Sequence, residues 1–510
     1  MQTNDKGPNR RDMMKMTAAA AAAIPLTGLR ASANTGGPTD LSAVDLSNAI
    51  HARSISCVEV MNAYLDQIER INPQVNAIVS LLPREDLVAQ AQAADDDLAA
   101  GKDRGWLHGM PQAIKDLDTT VGIRTTYGSP IMKDYMPKSD TIMVERIRAS
   151  GAILIGKTNT PEFGLGSHTY NEVFGTTLNA YDQKLSAGGS SGGAAVALAT
   201  HMLPVADGSD MMGSLRNPAG WNNVFGFRPS AGRVPYGPTG ELFYQQLGYG
   251  GPMGRSVADM AMLLSIQAGY DPRTPLSLDG DAALFTQSLD HDFKGARIGW
   301  LGDLDGYLTM QAGVMDVCQK ALANFETLGC TVEPAKIDFD MAKLWETWLT
   351  LRGFLVSGLV APLAANPETK PLLKPEAVWE NELGLKQTST GIYQASVARS
   401  DFYREMLRLY DSYDYLVLPT AQVWPFDATQ HWPAEIEGKQ MDTYHRWMEI
   451  VIPGTLSGVP VIAVPAGFSD SGLPMGLQIM ARPRADLAAL QIGHAWQNAT
   501  DYLTRKSPLL

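Results

Sequence analysis

The chain has 510 residues, 45% of them hydrophobic and 19% charged, the proportions of a folded protein rather than a disordered one. A formal net charge of −13 argues against nucleic-acid binding, which needs a basic face. Three cysteines, Cys57, Cys318 and Cys330, lack metal-ligand spacing, and their odd number argues against a disulfide scaffold. Buried free thiols are expected, with a Cys318–Cys330 bridge as the alternative.

In chain order, the first feature is a twin-arginine pair, Arg10 and Arg11, followed by a weakly apolar alanine run and then Ala31-Ser32-Ala33, an A-x-A cleavage pattern. That order predicts an export signal over residues 1–33. It would engage export machinery through Arg10 and Arg11, be cleaved after Ala33, and leave a periplasmic or extracellular protein of residues 34–510. The alternative is a disordered tail with a chance alanine run. Cleavage would remove five basic and two acidic residues and take the formal charge from −13 to −16. The run is too short to span a membrane comfortably, and no other long apolar segment stands out, so no stable membrane insertion is expected after cleavage.

Ser56 and Glu59 make a capping-box pattern, and Val58, Met61, Leu65 and Ile68 recur at helical spacing until Asn72-Pro73, where the helix is expected to end. Residues 85–101 read as a second helix closed by Gly101. The segment 141–151 reads as a helix and 152–156 as a buried strand. Short apolar runs at 296–301, 415–419, 459–465 and 476–480 read as strands, and 256–269, 312–328 and 484–498 as helices. Strands alternating with helices imply an α/β protein. The irregular stretch 419–450 is either a lid or pocket wall or a packed loop.

Two motifs fail on context. Residues 151–158, "GAILIGKT", match the phosphate-binding loop, but the four residues between the glycines look like a buried strand and no helix follows. Residues 188–192, "GGSSG", match the nucleophile elbow around Ser190, and a shift by one matches again on Ser191. An elbow needs a strand just before it, and the preceding "NAYDQKLSA" is polar. His445 or His494 could complete such a triad, so a serine esterase of elbow type stays as an alternative. The eight histidines show no metal spacing. A serine can instead be activated by a neutral lysine, which requires desolvation, since free lysine titrates at about 10.4. Lys115, within "LHGMPQAIKDLDTT", sits in such an apolar, turn-rich setting.

Four segments, "GMPQAIKD", "GKTNTPEFG", "GGSSGGAAVA" and "GSDMMGSLRNPAG", follow in order. Together with "SGVPVIAVPAGFSDSGLPMGLQIM", they make the chain resemble the amidase signature family from about residue 40 onward. The resemblance implies a single large mixed-sheet core covered by helices, and a hydrolase with a Ser–cis-Ser–Lys triad needing no metal or organic cofactor. Residue by residue, Ser214 matches the nucleophile, Ser190, 24 positions earlier, the bridging serine, and Lys115, 75 before that, the general base. Ser191 is then expected to support its loop.

The chemistry of an acyl transfer agrees with that pattern. Backbone amides of Met211, Met212, Gly213 and Ser214 are candidates for an oxyanion hole, because small residues let the backbone approach a ligand. Asp210 and Arg216 flank Ser214 with opposite charges and are expected to pin the loop. Where the family commonly has Gly-Gly-Ser, this chain has Met212-Gly213-Ser214. Met212 is strained if its position needs a positive φ, and otherwise narrows or lines the acyl pocket.

The implied activity is an exported amidase acting on a small-molecule or peptide amide. The alternatives are the A subunit of a tRNA-dependent amidotransferase and an exported binding protein without catalysis. Specificity is expected from the loops 121–138, 233–252 and 419–450, which carry Tyr127, Tyr236, Phe243, Tyr244 and Trp424. The sequence is silent on oligomeric state.

Overall fold

In the computed structural model, which describes residues 36–510, the capping box forms as its residue types require. The Ser56 hydroxyl accepts from the Glu59 N–H at 3.1 Å, and Glu59 accepts from the Ser56 N–H at 2.8 Å. The helix that follows runs Cys57–Val75, past the expected stop. Pro73 falls inside its last turn, and the true end is Asn76, which takes the left-handed conformation at φ 52°. The signal expected over residues 1–33, with Arg10, Arg11 and the Ala33 junction, lies outside the described residues.

Three strands, β1 (Ile78–Val79), β2 (Pro111–Lys115) and β3 (Ile153–Thr158), form a small sheet in the order β1-β3-β2. All six residues of β3 are buried, so the phosphate-loop look-alike is a core strand. Lys157 within it donates to Asp118 O and to Thr120 Oγ1. The main sheet has eight strands: β4 (Val205–Asp210), β5 (Phe225–Arg228), β6 (Tyr249–Gly254), β7 (Arg297–Trp300), β8 (Thr331–Pro334), β9 (Tyr415–Pro419), β10 (Val461–Phe468) and β11 (Pro474–Ala481). Their order is β8-β7-β9-β11-β10-β5-β6-β4. The β8–β7 and β7–β9 pairs are parallel and the rest antiparallel, which makes the sheet mixed. This is the α/β architecture expected, with helices over the sheet, and Gly37–Leu510 packs as one unit.

The helix expected over 312–328 is two, Val314–Ala321 and Ala323–Thr327. The absence of a further long apolar segment needs correction. Met341–Ala365 is a 25-residue helix containing an 18-residue window of mean hydropathy 1.5, long and apolar enough by composition to cross a membrane. It packs on Pro375–Leu385 and Ser389–Ser412 and forms part of a cavity wall. Lys343, Glu346 and Arg352 interrupt its apolar character in the sequence. Cys57, Cys318 and Cys330 are free and buried, so there is no Cys318–Cys330 bridge.

Two hydrophobic cores meet where chemistry is expected. One fills the region of β5 and β7–β11 and includes Met212. The other joins the helix Cys57–Val75, the small sheet and the helix Gly192–Ala199, and includes Leu215. All eight residues of Gly192–Ala199 are buried, as befits a helix apolar on every side. A Cβ on Gly193 would lie 2.4 Å from Asn159 N and 2.6 Å from Ala77 O, so only glycine fits.

Candidate active site

Lys115 ends β2 in a fully buried position, and three serines converge on its amine. Its Nζ lies 2.8 Å from Ser190 Oγ, 2.9 Å from Ser191 Oγ, 3.1 Å from Ser209 Oγ and 3.3 Å from Ser209 O. Burial pushes its pKa down to about 7, against the opposing pull of Asp118, Asp207 and Asp210. A neutral amine has two N–H bonds and one lone pair, so in that state the nitrogen can accept from one of these hydroxyls.

The two adjacent serines differ in what their hydrogens do. Ser191 donates to Ser209 O at 3.3 Å and accepts from Ser209 N–H at 3.4 Å. It occupies the N-cap position of Gly192–Ala199 but makes no cap bond, because its hydroxyl is engaged between Lys115 and β4. Ser190, reached through a cis Gly189–Ser190 peptide, has Lys115 as its one side-chain partner among the described residues. Its hydrogen is therefore free to move. Ser190, Ser209 and Ser214 all line one cavity of about 610 Å³. The Ser214 carbonyl accepts from Ser191 N–H at 3.3 Å; among the described residues no hydrogen bond joins the Ser214 hydroxyl to Ser190.

Ser214 sits on a turn that leaves β4, and Asp210 organises that turn. Its Oδ1 accepts from the Gly213 N–H at 2.9 Å, and its Oδ2 from the Leu215 N–H at 3.0 Å. Arg216 clasps both carboxylate oxygens at 3.0 and 2.9 Å, and also donates to Val451 O, Gln478 and Thr455. Burial raises the Asp210 pKa, but Arg216 and Arg228 outweigh it and hold the carboxyl below its ordinary range. The pinning role expected of Asp210 and Arg216 thus has its geometry. In the same turn the Gly213 N–H, one of the four expected oxyanion donors, already has Asp210 as its acceptor. The amides of Met211, Met212 and Ser214 have none among the described residues, and they are the donors left for an oxyanion. The positive φ belongs to Gly213, at 79°, and not to Met212, whose buried side chain lines the cavity without strain.

Among the described residues neither serine of the pair has a histidine partner, which removes the nucleophile-elbow reading. Both His445 ring nitrogens lack hydrogen bonds among the described residues, and the ring packs on Trp345, Trp379 and Tyr444. His494 faces Asn498 and Asp290. Ser186 Oγ does meet His168 Nδ1, at 2.7 Å, but this is a different serine, and the other ring nitrogen donates to Ala428 O.

Two participants were missed in the sequence. Ser209 braces the Lys115 amine, and Asp207 accepts the Lys115 main-chain N–H at 3.1 Å. Burial and the nearby Asp118 raise the Asp207 pKa to about 6. Both lie on β4, in a run whose glycine and aspartates hide its strand character. Of the loops expected to set specificity, 233–252 lines the cavity through Tyr236 and Tyr244, whereas 121–138 contributes nothing to the lining. The stretch 419–450 is mostly a packed loop that lends Met448 to the wall, and Tyr127, Phe243 and Trp424 are not lining residues. Unanticipated wall comes from the helix Met341–Ala365, including Arg352, Phe354 and Leu355.

A family model described as Amidase matches residues 59–490. The acylamidase of Rhodococcus erythropolis is 33% identical over 480 residues, covering 91% of this chain and 97% of its own length. A glutamyl-tRNA(Gln) amidotransferase subunit of Thermosynechococcus vestitus is 31% identical over 485 residues, covering 90% of this chain and 98% of its own length. Among solved structures, a bacterial aryl acylamidase superposes with a TM-score of 0.84 at 28% identity, covering 91% of this chain and 98% of that one.

Proposed function

This chain belongs to the amidase signature family and is a hydrolase of amide C–N bonds, and from that premise we propose that it is a serine amidase forming an acyl-enzyme on Ser214. Lys115 takes the Ser214 proton through Ser190 as Ser214 Oγ attacks the carboxamide carbon. The oxyanion that forms is met by the amides of Met211, Met212 and Ser214. Lys115 then returns the proton through Ser190 to the leaving nitrogen, since an amine leaves poorly unless protonated. Water cleaves the acyl-enzyme by the same relay in reverse and releases the carboxylate. Ser190 and Ser214 must come within hydrogen-bond distance for each transfer, a contact that tightens when substrate fills the cavity. The observation that carries this reading is the asymmetry of the serine pair: Ser190 keeps a free hydrogen beside Lys115, and Ser191 does not.

The apolar wall of Met212, Phe354 and Leu355 suits an amide with an aryl or aliphatic part, such as an anilide. A second reading has equal sequence support, because relatives named as glutamyl-tRNA(Gln) amidotransferase subunits are about as similar as the acylamidase. It predicts ammonia release from glutamine that depends on partner subunits. Turnover of anilides by the purified chain alone separates the two, and also disposes of a non-catalytic binding role.

The deciding experiment is labelling with a fluorophosphonate and mapping of the modified peptide by mass spectrometry. Label on Ser214 that disappears in Lys115→Ala is expected, with Ser214→Ala lowering turnover by roughly 10³-fold or more. Label on Ser190 or Ser191 would overturn the assignment. Export through Arg10 and Arg11 is part of the same proposal, supported by the order of charge, apolar run and A-x-A site. Replacing both arginines by lysine should leave the precursor inside the cell, and unchanged processing would refute it.

A further inference from the structure

The helix Met341–Ala365 delivers one charged side chain to the cavity, and it is held unusually firmly. Arg352 is 3% exposed. Its Nε donates to Glu380, and its Nη2 donates to the Tyr444 hydroxyl at 2.8 Å. Tyr444 donates onward to Glu380 Oε1 at 2.6 Å, which closes a buried triangle. The remaining nitrogen, Nη1, has only Met211 Sδ among the described residues, at 3.4 Å. A thioether is a weak acceptor, so a rigid guanidinium presents hydrogen-bond capacity that no oxygen satisfies.

The charge balance defines what that nitrogen can take. Glu380 already neutralises Arg352, so an incoming carboxylate would find no net positive charge. A neutral oxygen gains the hydrogen bond without that handicap. The place along the substrate follows from Met211. Its side chain touches Arg352, and its amide is one of the unoccupied donors of the oxyanion turn. A leaving nitrogen must approach Ser190 to receive its proton, so the substituent that runs toward Met211 and Arg352 is the acyl group.

We propose that Arg352 is a specificity-determining residue that hydrogen-bonds a neutral carbonyl oxygen carried within the acyl part of the substrate. The favoured substrates are then amides whose otherwise apolar acyl chain holds a second carbonyl, as a ketone or a further amide does. The proposal rests on the serine-amidase reading, with attack by Ser214 on the scissile carbonyl.

The test uses p-nitroanilides of hexanoic, 4-oxohexanoic and 5-oxohexanoic acid with the full chain. One oxo substrate should exceed the hexanoyl compound about 10-fold or more in kcat/KM, chiefly through KM. In Arg352→Lys, and in the doubly neutral Arg352→Gln/Glu380→Gln, the ratio should fall to near one. Measuring the ratio within each variant cancels any general loss from disturbed packing. A wild-type ratio near one, or a preference that survives both substitutions, would overturn the proposal. So would a preference appearing only when the ketone is placed on the aniline. Hydrolysis of all three compounds with Ser214 labelled, but without discrimination, would sink this inference and leave the amidase reading intact.

Discussion

Lys115 offers the sharpest test, because in the proposed mechanism one group controls both activity and stability. Its pKa lies at about 7 when folded, against 10.5 for an ordinary lysine. As a base it works neutral, so about one-tenth of the enzyme is competent at pH 6 and about nine-tenths at pH 8. The rate constant kcat/KM should rise roughly tenfold between those values, with its inflection near 7. Stability follows from the same titration. The folded lysine loses its proton near pH 7 and the unfolded one near 10.5, so between them the unfolded chain holds one more proton. Stability therefore rises with pH across that window. Relative to Lys115→Met, the wild type should gain about 3 kcal/mol between pH 7 and pH 9.5. Urea unfolding of both proteins at the two pH values measures the difference, in which groups common to both cancel. Parallel pH dependences would mean that Lys115 titrates alike in the folded and unfolded chain, and the reasoning would fail.

Two further substitutions probe the supports of the site. Arg216→Met leaves the Asp210 carboxylate buried with Arg228 as its remaining cation, and should cost about 3–5 kcal/mol in denaturant unfolding. Gly193→Ala drives a Cβ into the Asn159 and Ala77 backbone and should cost about 1–3 kcal/mol, with a fall in kcat as the Ser190–Ser191 segment shifts off Lys115. A fully stable and active Gly193→Ala would show that the helix start has slack that the close approach denies.

What was legible in the sequence divides along physical lines. The strands at 415–419, 461–468 and 474–481 are rich in apolar residues and bounded by turn residues, so their composition announces them. β4, β5 and β6 read "VADGSD", "FGFR" and "YGGPMG", and their glycine, proline and aspartate residues lower the strand propensity of each run. Their glycines are there for close approach: a Cβ on Gly226 would lie 2.0 Å from Leu215 O, and one on Gly251 would lie 2.3 Å from Phe227 O. Tertiary packing wins over local preference where the chain must bring the Ser214 turn against the sheet. The meeting of Ser190 with Lys115 was legible through motif order. The bond from the Gly213 amide to Asp210 was not legible, because the reach of the Asp210 side chain is a property of the folded turn. Arg352 was not singled out, since nothing in the run "WLTLRGFL" says which side of a helix meets a cavity.

The cluster around Lys115 explains why two serines stand together where a histidine enzyme needs one. A buried amine tends to lose its proton, but a lone neutral lysine in an apolar pocket would rotate freely and aim nowhere. Ser191 and Ser209 supply the aim. Ser191 gives its hydrogen to β4, and both hydroxyls hold Nζ in place. Asp207 fixes the lysine backbone from the same strand. With the contacts to Ser191 and Ser209 used for position, the one to Ser190 is left for the proton transfer proposed above. A histidine base gets direction from its ring and a single carboxylate. A lysine base gets it from several fixed oxygens, and that is why the strand, the helix start and the Ser214 turn must all meet where the two buried cores join.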